Sequence, residues 1–454
     1  MTTDPDMDKL FNEMTDIAFS KSVKTPAQEM KDFETLRRII NDMYQIRGIS
    51  PVYTREPSTA DIDAFKSWCT RNGIENGHVE FKKTETQGYG VFATRNIPAN
   101  ESVSVVPAKM MIRADLIRKE SNPLFSDIPH LALCLNLLVE ANDPASGWKE
   151  YIDILPRKFS IPMCNLDQVQ YLKGTSVYFQ IMKDLLNICR QYIHLVHTAK
   201  ANPNKDILNA VSFAGFMWAK AVCLTRQNQI PIKMSENAGP TMVLCLIPFY
   251  DMFNHKQKEA ATEFDLATQL AITTSVSQIE QGEQMYINYG SRPNQELFMY
   301  SGFIDVSEIR NDCIRLPLNV ARTDPLGSKR LLVFERLGIQ CPGTFDFSIV
   351  SLMNLNEPIP GLSSRRADLV KAVSILQAST DELDDFDPSK QAINLKALNW
   401  VHGRCNLLMM NLQAHRAKVP ESLPIVQSLY DVEKALLEKM EVIIQAHIKL
   451  VGPC

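Results

Sequence analysis

The stretch Ile247–Lys256 reads IPFYDMFNHK and follows an apolar run, TMVLCL, at residues 241–246. It places an acid, an amide and an imidazole within five positions, at Asp251, Asn254 and His255. Such groups are costly to bury unless each has a hydrogen-bonding or charged partner. Four kinds of partner are open at this point: a metal ion, a catalytic triad, the protein's own core, or a ligand.

A metal site and a triad both lack supporting residues. None of the ten cysteines belongs to a C-x-x-C pair, and the HLVH motif (His194, His197) lacks the Glu of H-E-x-x-H. His255 has no further His, Cys or acid at ligand spacing except Asp251, so no metal is expected. No G-x-S-x-G motif is present, although spacing alone does not exclude a triad through Asp251 and His255.

Length and composition narrow the class of protein. A chain of 454 residues exceeds what one hydrophobic core usually fills, so two domains are expected. The net charge of −4 gives no global basic field, which disfavours nucleic acid as a partner. No apolar run approaches the roughly 18–20 residues that span a bilayer. The N-terminus has acids where a signal peptide needs basic residues. We therefore expect a soluble intracellular protein with reduced cysteines and no membrane or nucleic-acid partner.

Two strand-rich blocks flank a helical one. Short β-branched runs separated by Gly, Pro and Asn predict strands over residues 79–112 and again over 241–303. Within the second block, GEQMYINYG places Met285, Ile287 and Tyr289 on one face. Residues 1–50, the segment between the strand blocks and the chain beyond Leu316 carry helical periodicity. The acidic run DELDDFD, at residues 381–387, is expected to be a solvated loop between helices.

Three motifs together resemble a known family. The segments GYGVFATRNIPANESVSVVP (88–107), FYDMFNHK (249–256) and GEQMYINYGSRPNQELFMYSGF (282–303) are similar, in order and spacing, to SET-domain protein methyltransferases. The similar group, first met in plant enzymes that methylate the large subunit of the carbon-fixing enzyme, has a large helical insertion. The resemblance implies an α+β fold: a β-rich SET core of small sheets with a helical insertion, followed by an all-α C-terminal domain. It implies a helical extension at 1–50, a SET domain at 51–314 with the insertion at about 125–238, and a substrate-binding domain at 315–454.

One further segment bears on the substrate. TRQNQIP (225–231) taken alone is a polar helix end before Pro231, but it resembles the segment of actin-directed, histidine-methylating SET enzymes that forms part of their substrate pocket. The resemblance implies a monomeric protein-histidine N-methyltransferase of the cytoplasm, and also of the nucleus, with S-adenosylmethionine as cofactor and actin as protein substrate. A lysine methyltransferase of the same fold and a catalytically silent adaptor are the alternatives.

The resemblance also assigns residues, carried over motif by motif. Tyr289 and Asn228 would be catalytic, and no metal ligand is implied. Tyr289 would orient the acceptor, and Asn228 would fix the tautomer and ring plane of an acceptor imidazole. Such an acceptor, with a pKa of about 6.5, is largely neutral at pH 7, whereas a lysine with a pKa of about 10.4 must first lose a proton. The cofactor-binding set would be Arg55, Gln87, Gly88, Tyr89, Arg226, Asp251, Asn254, His255, Tyr289, Ser301, Gly302 and Phe303. The substrate-binding set would be Arg226, Gln227, Asn228, Tyr250, Ile287, Tyr289 and Arg292.

Three positions depart from the family's usual residues. Tyr250 stands where the similar enzymes have tryptophan, Phe253 where they have cysteine, and Asn288 where they have an aromatic residue. Tyr250 and Asn288 fall near the expected peptide groove, so the departures concern the shape of that groove more than cofactor binding.

Overall fold

The chain forms two compact units in a computed structural model. The first consists of Met1–Cys164 and Met182–Ser291, and the second of Asn165–Ile181 and Arg292–Cys454. The structure describes residues 5–22, 24–75, 77–84, 87–116, 128–201, 211–233, 239–307, 309–349, 352, 369–387 and 391–451. Residues 292–314, which the sequence assigned to the SET domain, group with the second unit, so the boundary at 314 stays a prediction. The start of the insertion near residue 125 lies outside the described residues.

Three helices precede the first strand. They are α1 (Pro5–Ala18), α2 (Pro26–Arg47) and α3 (Thr59–Arg71). The helical periodicity of residues 1–50 is confirmed, and α2 ends before Gly48, which adopts a φ of 64° and donates its N–H to the carbonyl of Tyr44. Ser58 and Asp61 form a reciprocal capping box that starts α3.

The segment between the strand blocks is helical up to Arg226, as predicted, but Asn228–Lys233 form a strand where helix was expected. It contains α4 (Pro129–Asn142), α5 (Lys149–Ile154), α6 (Tyr178–Ala201) and α7 (Phe213–Arg226). The hydroxyl of Ser212 caps α7 by accepting from the N–H of Gly215. The side chains from Phe213 to Cys223 are almost all buried, so α7 is a core helix whose polar end emerges at Arg226.

Two sheets make up the β part of the first unit. Their strands are β1 (Val79–Lys83), β2 (Tyr89–Ala93), β3 (Ser102–Pro107), β4 (Ile112–Arg113), β5 (Asn228–Lys233), β6 (Pro240–Leu246), β7 (Asn254–Asp265), β8 (Leu270–Thr274) and β9 (Gln284–Ile287). The larger sheet has the order β1-β2-β9-β7-β8-β3, and the smaller one has the order β4-β6-β5. Strand β9 is antiparallel to β2 and parallel to β7, which places Asn254 opposite Tyr286. Met285 and Ile287 are both buried, as their shared face predicted, whereas Tyr289 follows the end of the strand.

The second unit is helical but not all-α. Its elements are the short α8 (Asn294–Glu296), a π-helical turn (Leu297–Ser301), β10 (Cys313–Leu318), α9 (Gly327–Arg336), β11 (Gly343–Ser348), α10 (Leu369–Gln377), α11 (Thr380–Asp384), α12 (Gln391–Arg416) and α13 (Pro424–Val451). The antiparallel pair β10–β11 corrects the expectation of an all-α domain, because Phe345 and Phe347 alternate inward along β11. The acidic run is likewise not a simple loop, since a capping box between Ser379 and Glu382 starts α11 within it.

None of the helices in the described part of the chain combines the length and the hydropathy needed to cross a membrane.

Candidate functional site

The end of β9 and the start of β7 bring two of the quoted motifs into contact. The backbone N–H of Tyr289 donates to Nδ1 of His255 at 3.0 Å, and the hydroxyl of Tyr289 donates to the carbonyl of Phe253 at 2.8 Å. The two rings lie 5.0 Å apart between centroids. Because Nδ1 accepts, the proton of a neutral His255 ring lies on Nε2. His255 therefore holds the Tyr289 segment in place.

Asp251 takes a partner other than His255. It lies in a 3-10 turn (Tyr250–Met252) that follows Phe249, a non-glycine residue with a φ of 71°. The hydroxyl of Tyr151 donates to Oδ2 of Asp251, and Oδ1 has no hydrogen-bond partner among the described residues. A triad needs the acid to accept from the histidine, so this arrangement argues against one.

Arg226 is the nearest charged partner of Asp251. Its Nη1 donates to the backbone carbonyl of Asp251 and lies 3.9 Å from the carboxylate Oδ1. Burial raises the pKa of Asp251 to about 6, while the charge of Arg226 and the hydrogen bond from Tyr151 both act to lower it. Asp251 is therefore largely ionised at pH 7, and the ion pair anchors the end of α7 to the Tyr250–Met252 turn.

The turn between β1 and β2 places backbone groups of Gly88 and Tyr89 close to Asn254. Both the N–H and the hydroxyl of Thr84 donate to the carbonyl of Gly88, at 2.6 Å and 2.9 Å, and Gly88 adopts a φ of 74° that favours glycine. Next to it, the amide Nδ2 of Asn254 donates to the carbonyl of Tyr89 at 3.3 Å. Gln87 accepts at 3.3 Å from the amide of Gln284. The structure thus brings together four members of the predicted cofactor set: Gln87, Gly88, Tyr89 and Asn254.

Gly90 is a site residue that the sequence reasoning did not single out. A Cβ at Gly90 would lie 2.5 Å from Nε2 of Gln284 and 3.1 Å from Nδ2 of Asn254. Glycine at this position therefore allows the Asn254 amide to approach β2. The signal available in the sequence was the second glycine of GYG.

The TRQN segment joins α7 to β5 and lies beside the Asp251 turn. Helix α7 ends at Arg226, and β5 begins at Asn228, whose Nδ2 donates to the carbonyl of Arg226 at 3.0 Å. Gln227 lies between them, with Oε1 2.9 Å from Nδ1 of His130 on α4. The segment is thus a polar helix end, as expected from its sequence alone. It also places Asn228 two residues after Arg226, which pairs with Asp251. His130 carried no sequence signal that connected it to Gln227.

The remaining predicted residues fall into three groups. Tyr250 and Ile287 are buried within the first unit. Arg55 forms ion pairs near the start of α3, at 2.7 Å to Asp61 and 3.7 Å to Asp153. The second unit carries Arg292, Ser301, Gly302 and Phe303, where Gly302 ends the π-helical turn with a φ of 80°. The cofactor and substrate roles of all these residues stay predictions.

Two buried polar atoms in the first unit are candidates for contact with a ligand. Nε of Arg226 and Oδ1 of Asp251 have no hydrogen-bond partner among the described residues. Buried polar atoms in folded proteins are nearly always paired with protein, water or a ligand. No group of three His, Cys, Asp or Glu side chains suited to a metal occurs in the described ranges. The region therefore offers a guanidinium, an amide and close backbone, which suit an organic ligand with a negative group.

Comparison with known proteins identifies the fold around this site. Residues 88–290 match the model of the SET domain. This part of the chain has the SET fold. The first and last matched residues, Gly88 and Gly290, belong to GYG and NYG. The contacts of Tyr289 with His255 and Phe253, of Asn254 with Tyr89, and of Asp251 with Tyr151 and Arg226 therefore lie within the matched region.

Curated relatives extend beyond the SET domain. The actin-histidine N-methyltransferase of Xenopus tropicalis is 30% identical over 335 residues, covering 71% of this chain and 56% of the relative. The human protein of the same name is 28% identical over 332 residues, covering 70% of this chain and 55% of the relative. The Gallus gallus protein of that name is 26% identical over 381 residues, covering 81% and 61%. The chain thus spans between half and two thirds of the length of these relatives.

Solved structures support the same fold. The SET domain of LSMT bound to lysine and AdoHcy matches with a TM-score of 0.66 at 20% identity, covering 87% of this chain and 93% of that one. Rubisco LSMT bound to AdoMet matches with a TM-score of 0.64 at 20% identity, covering 86% and 93%. The predicted β-rich SET core with a helical C-terminal region is confirmed.

Proposed function

We propose that this protein is a protein methyltransferase that uses S-adenosylmethionine to methylate a ring nitrogen of a histidine in actin. The observation that carries the proposal is the position of Asn228, whose amide donates to the backbone carbonyl of Arg226, the residue that pairs with Asp251 in the SET core. The name actin-histidine N-methyltransferase, shared by its curated relatives, supports the choice of substrate.

The residues around Arg226 suit the cofactor. S-Adenosylmethionine supplies a methyl group bound to a positively charged sulfur, ready for transfer to a neutral nucleophile. The guanidinium of Arg226 would pair with its carboxylate, using the Nε that has no hydrogen-bond partner in the described structure. Asn254 and the backbone at Gly88 and Tyr89 would hold the amino-acid end, because glycine lets backbone approach a ligand closely. His255 and Asp251 would act by keeping these groups in position.

Tyr289 and Asn228 would orient the acceptor. The hydroxyl of Tyr289 is fixed by its hydrogen bond to the carbonyl of Phe253, so its ring has a defined plane beside His255. The Nδ2 of Asn228 is engaged by the carbonyl of Arg226, which leaves its Oδ1 to accept from an imidazole N–H. That hydrogen bond would place the lone pair on the other ring nitrogen, and positioning is much of the catalysis when the nucleophile is already neutral.

A lysine methyltransferase is the second candidate. The observation in its favour is that the structures with this fold include LSMT bound to lysine and Rubisco LSMT bound to monomethyllysine. A lysine acceptor must lose a proton before transfer, at a free-energy cost of about 4–5 kcal/mol at pH 7. Position 228 carries an amide and not an aromatic side chain that would pack against the aliphatic chain of a lysine. This difference favours an imidazole as the methyl acceptor.

The substrate is tested by mapping where the methyl group goes. We expect the protein, incubated with recombinant actin and isotopically labelled S-adenosylmethionine, to place label on one histidine peptide, read by mass spectrometry. Label on lysine alone would overturn histidine specificity in favour of the second candidate. The absence of label, with no heat of S-adenosylmethionine binding by calorimetry, would instead indicate a silent adaptor.

Replacing Gly90 by alanine should weaken cofactor binding. The added Cβ would displace the amide of Gln284 and crowd that of Asn254, so the dissociation constant for S-adenosylmethionine is expected to rise about tenfold, equal to about 1.4 kcal/mol. Calorimetry measures the effect. Gly77→Ala is the matched control, because a Cβ there meets no atom within 4 Å. Equal affinities for Gly90→Ala and the unmodified protein would contradict the close approach of Asn254 to β2.

A further inference from the structure

We propose that Tyr151, on helix α5 of the insertion, is a positioning residue for cofactor binding: its hydroxyl holds Asp251, and Asp251 holds Arg226. The proposal rests on the proposed function, since it assigns Arg226 to the cofactor carboxylate. Tyr151 was not among the sequence-predicted residues and lies 100 positions before Asp251 in the chain.

The geometry gives Tyr151 a fixed orientation. Its side chain is fully buried and its ring packs against Phe65, with centroids 6.1 Å apart. The hydroxyl donates to Oδ2 of Asp251, whose side chain is 1% exposed. A buried phenol with one hydrogen-bond partner cannot turn to water, so the Tyr151 hydroxyl fixes the carboxylate plane.

Asp251 transmits that position to Arg226. The guanidinium Nη1 donates to the backbone carbonyl of Asp251 and lies 3.8 Å from the sulfur of Met252. Its Nε remains for a ligand, as described above. Arg226 is at the C-terminal end of α7, where no further helical turn restrains its side chain. The Asp251 turn is therefore the contact that sets the direction of the guanidinium.

The charge state of Asp251 depends on few groups. Those that interact with it are Tyr151 on α5, Arg226 on α7, Cys69 on α3, Cys245 on β6 and the adjacent Tyr250. Burial raises the pKa of the Cys69 and Cys245 thiols to about 12, and it also raises the pKa of both phenols above the usual value. Among these neighbours Arg226 alone is charged near neutral pH. The Arg226–Asp251 attraction consequently depends on the ionisation of Asp251.

Removing the Tyr151 hydroxyl should raise the pKa of Asp251. The hydroxyl donates to the ionised carboxylate and so lowers the pKa of Asp251, which burial has raised to about 6. In Tyr151→Phe the pKa should rise toward or above neutrality. A larger fraction of Asp251 is then protonated at pH 7, and Arg226 loses its ionic anchor. Raising the pH should ionise Asp251 again and restore the anchor.

The test is the pH dependence of S-adenosylmethionine binding by calorimetry between pH 5.5 and 8.5. The unmodified protein is expected to lose affinity as the pH falls through about 6. In Tyr151→Phe the transition should shift upward by about one pH unit, so that the dissociation constant is about fivefold higher than that of the unmodified protein at pH 6, about twofold higher at pH 7 and largely recovered at pH 8.5. Asp251→Asn should bind weakly with no such transition, and it gives an independent result if Tyr151→Phe does not fold.

Tyr53→Phe is the matched control. Tyr53 is also buried in the first unit, and its hydroxyl accepts from the amide of Asn142 at 2.8 Å. Tyr53→Phe therefore removes a buried tyrosine hydroxyl that does not contact Asp251. Its pH profile should equal that of the unmodified protein. An unmoved transition in a Tyr151→Phe variant that binds the cofactor would overturn the positioning role alone. Failure of the unmodified protein to bind S-adenosylmethionine would overturn the proposed function and this inference with it.

Discussion

Replacing Asn228 by phenylalanine is expected to lower kcat/KM for histidine methylation by at least about 100-fold, equal to about 2.7 kcal/mol of transition-state stabilisation. The amide lies at the first position of β5 with its Nδ2 held by the carbonyl of Arg226. A phenyl ring offers no acceptor for the imidazole N–H, so the acceptor tautomer and ring plane are no longer fixed. The affinity for S-adenosylmethionine should change by less than about twofold, because Arg226 keeps its contacts with Asp251.

The matched control for this variant is Gln229→Phe. Gln229 is the next residue of β5, so its side chain points to the opposite face of the strand, and it is exposed. The change in volume is similar, while the Asn228 amide is left intact. Kinetics with actin and calorimetry with the cofactor measure both variants. Normal histidine methylation by Asn228→Phe would contradict the proposed role of Asn228. New label on lysine would support the idea that an aromatic side chain at this position packs against the aliphatic chain of a lysine acceptor.

Contacts close in sequence or carried by whole motifs were predictable. The helices and strands follow from hydrophobic periodicity, and the contact between the DMFNH and NYG motifs follows from the family resemblance. The contacts that orient the site connect distant parts of the chain: Asn254 to Tyr89 spans 165 positions, and Asp251 to Tyr151 spans 100. Hydrophobic patterns indicate which face of an element is buried but not which distant polar group meets it, so Tyr151 and His130 were missed.

Arg55 has a structural partner in addition to the cofactor role that the family resemblance assigns to it. It was assigned to the cofactor, and the structure pairs it with Asp61, the same carboxylate that completes the capping box of α3 with Ser58. The S-x-x-D pattern at residues 58–61 was visible in the sequence and places an acid at the start of a helix. An arginine three residues before that cap is within reach of the acid. A nearby structural partner was therefore available to Arg55 without any ligand.

Replacing Arg226 by methionine should have the second large effect, and it should act on both binding and stability. The variant loses the cation for the cofactor carboxylate, so the dissociation constant for S-adenosylmethionine is expected to rise about 100-fold, in line with about 2–3 kcal/mol for a charge-assisted hydrogen bond. It also leaves Asp251 buried without its charged partner, and removing one member of a buried pair is strongly destabilising. Since the Nη1 to Oδ1 distance is 3.9 Å and the Arg226 side chain is 21% exposed, a loss of about 2–3 kcal/mol in the free energy of unfolding is expected at pH 8.

The pH dependence separates this electrostatic loss from a packing defect. The pKa of Asp251 is already raised to about 6 in the folded protein, and it should rise further without Arg226. A raised folded-state pKa means that the folded state binds more protons than the unfolded state, so stability falls as the pH rises through this range. At pH 5 both proteins hold Asp251 largely protonated, and the deficit of Arg226→Met should nearly vanish, whereas it should be full at pH 8. Urea unfolding at the two pH values measures the difference.

The double variant Arg226→Met/Asp251→Asn separates the role of Arg226 in cofactor binding from its role in stabilising the fold. With the buried charge removed, most of the stability at pH 8 should return, while cofactor binding should remain weak because the cation is still missing. Recovery of binding together with stability would mean that Arg226 serves the fold and does not contact the cofactor. A deficit in Arg226→Met that is equal at pH 5 and pH 8 would mean that lost packing of its aliphatic chain outweighs the unpaired charge of Asp251. Binding and stability are therefore expected to separate in the double variant, because Arg226 neutralises a buried acid within the fold and also supplies a charge to a ligand.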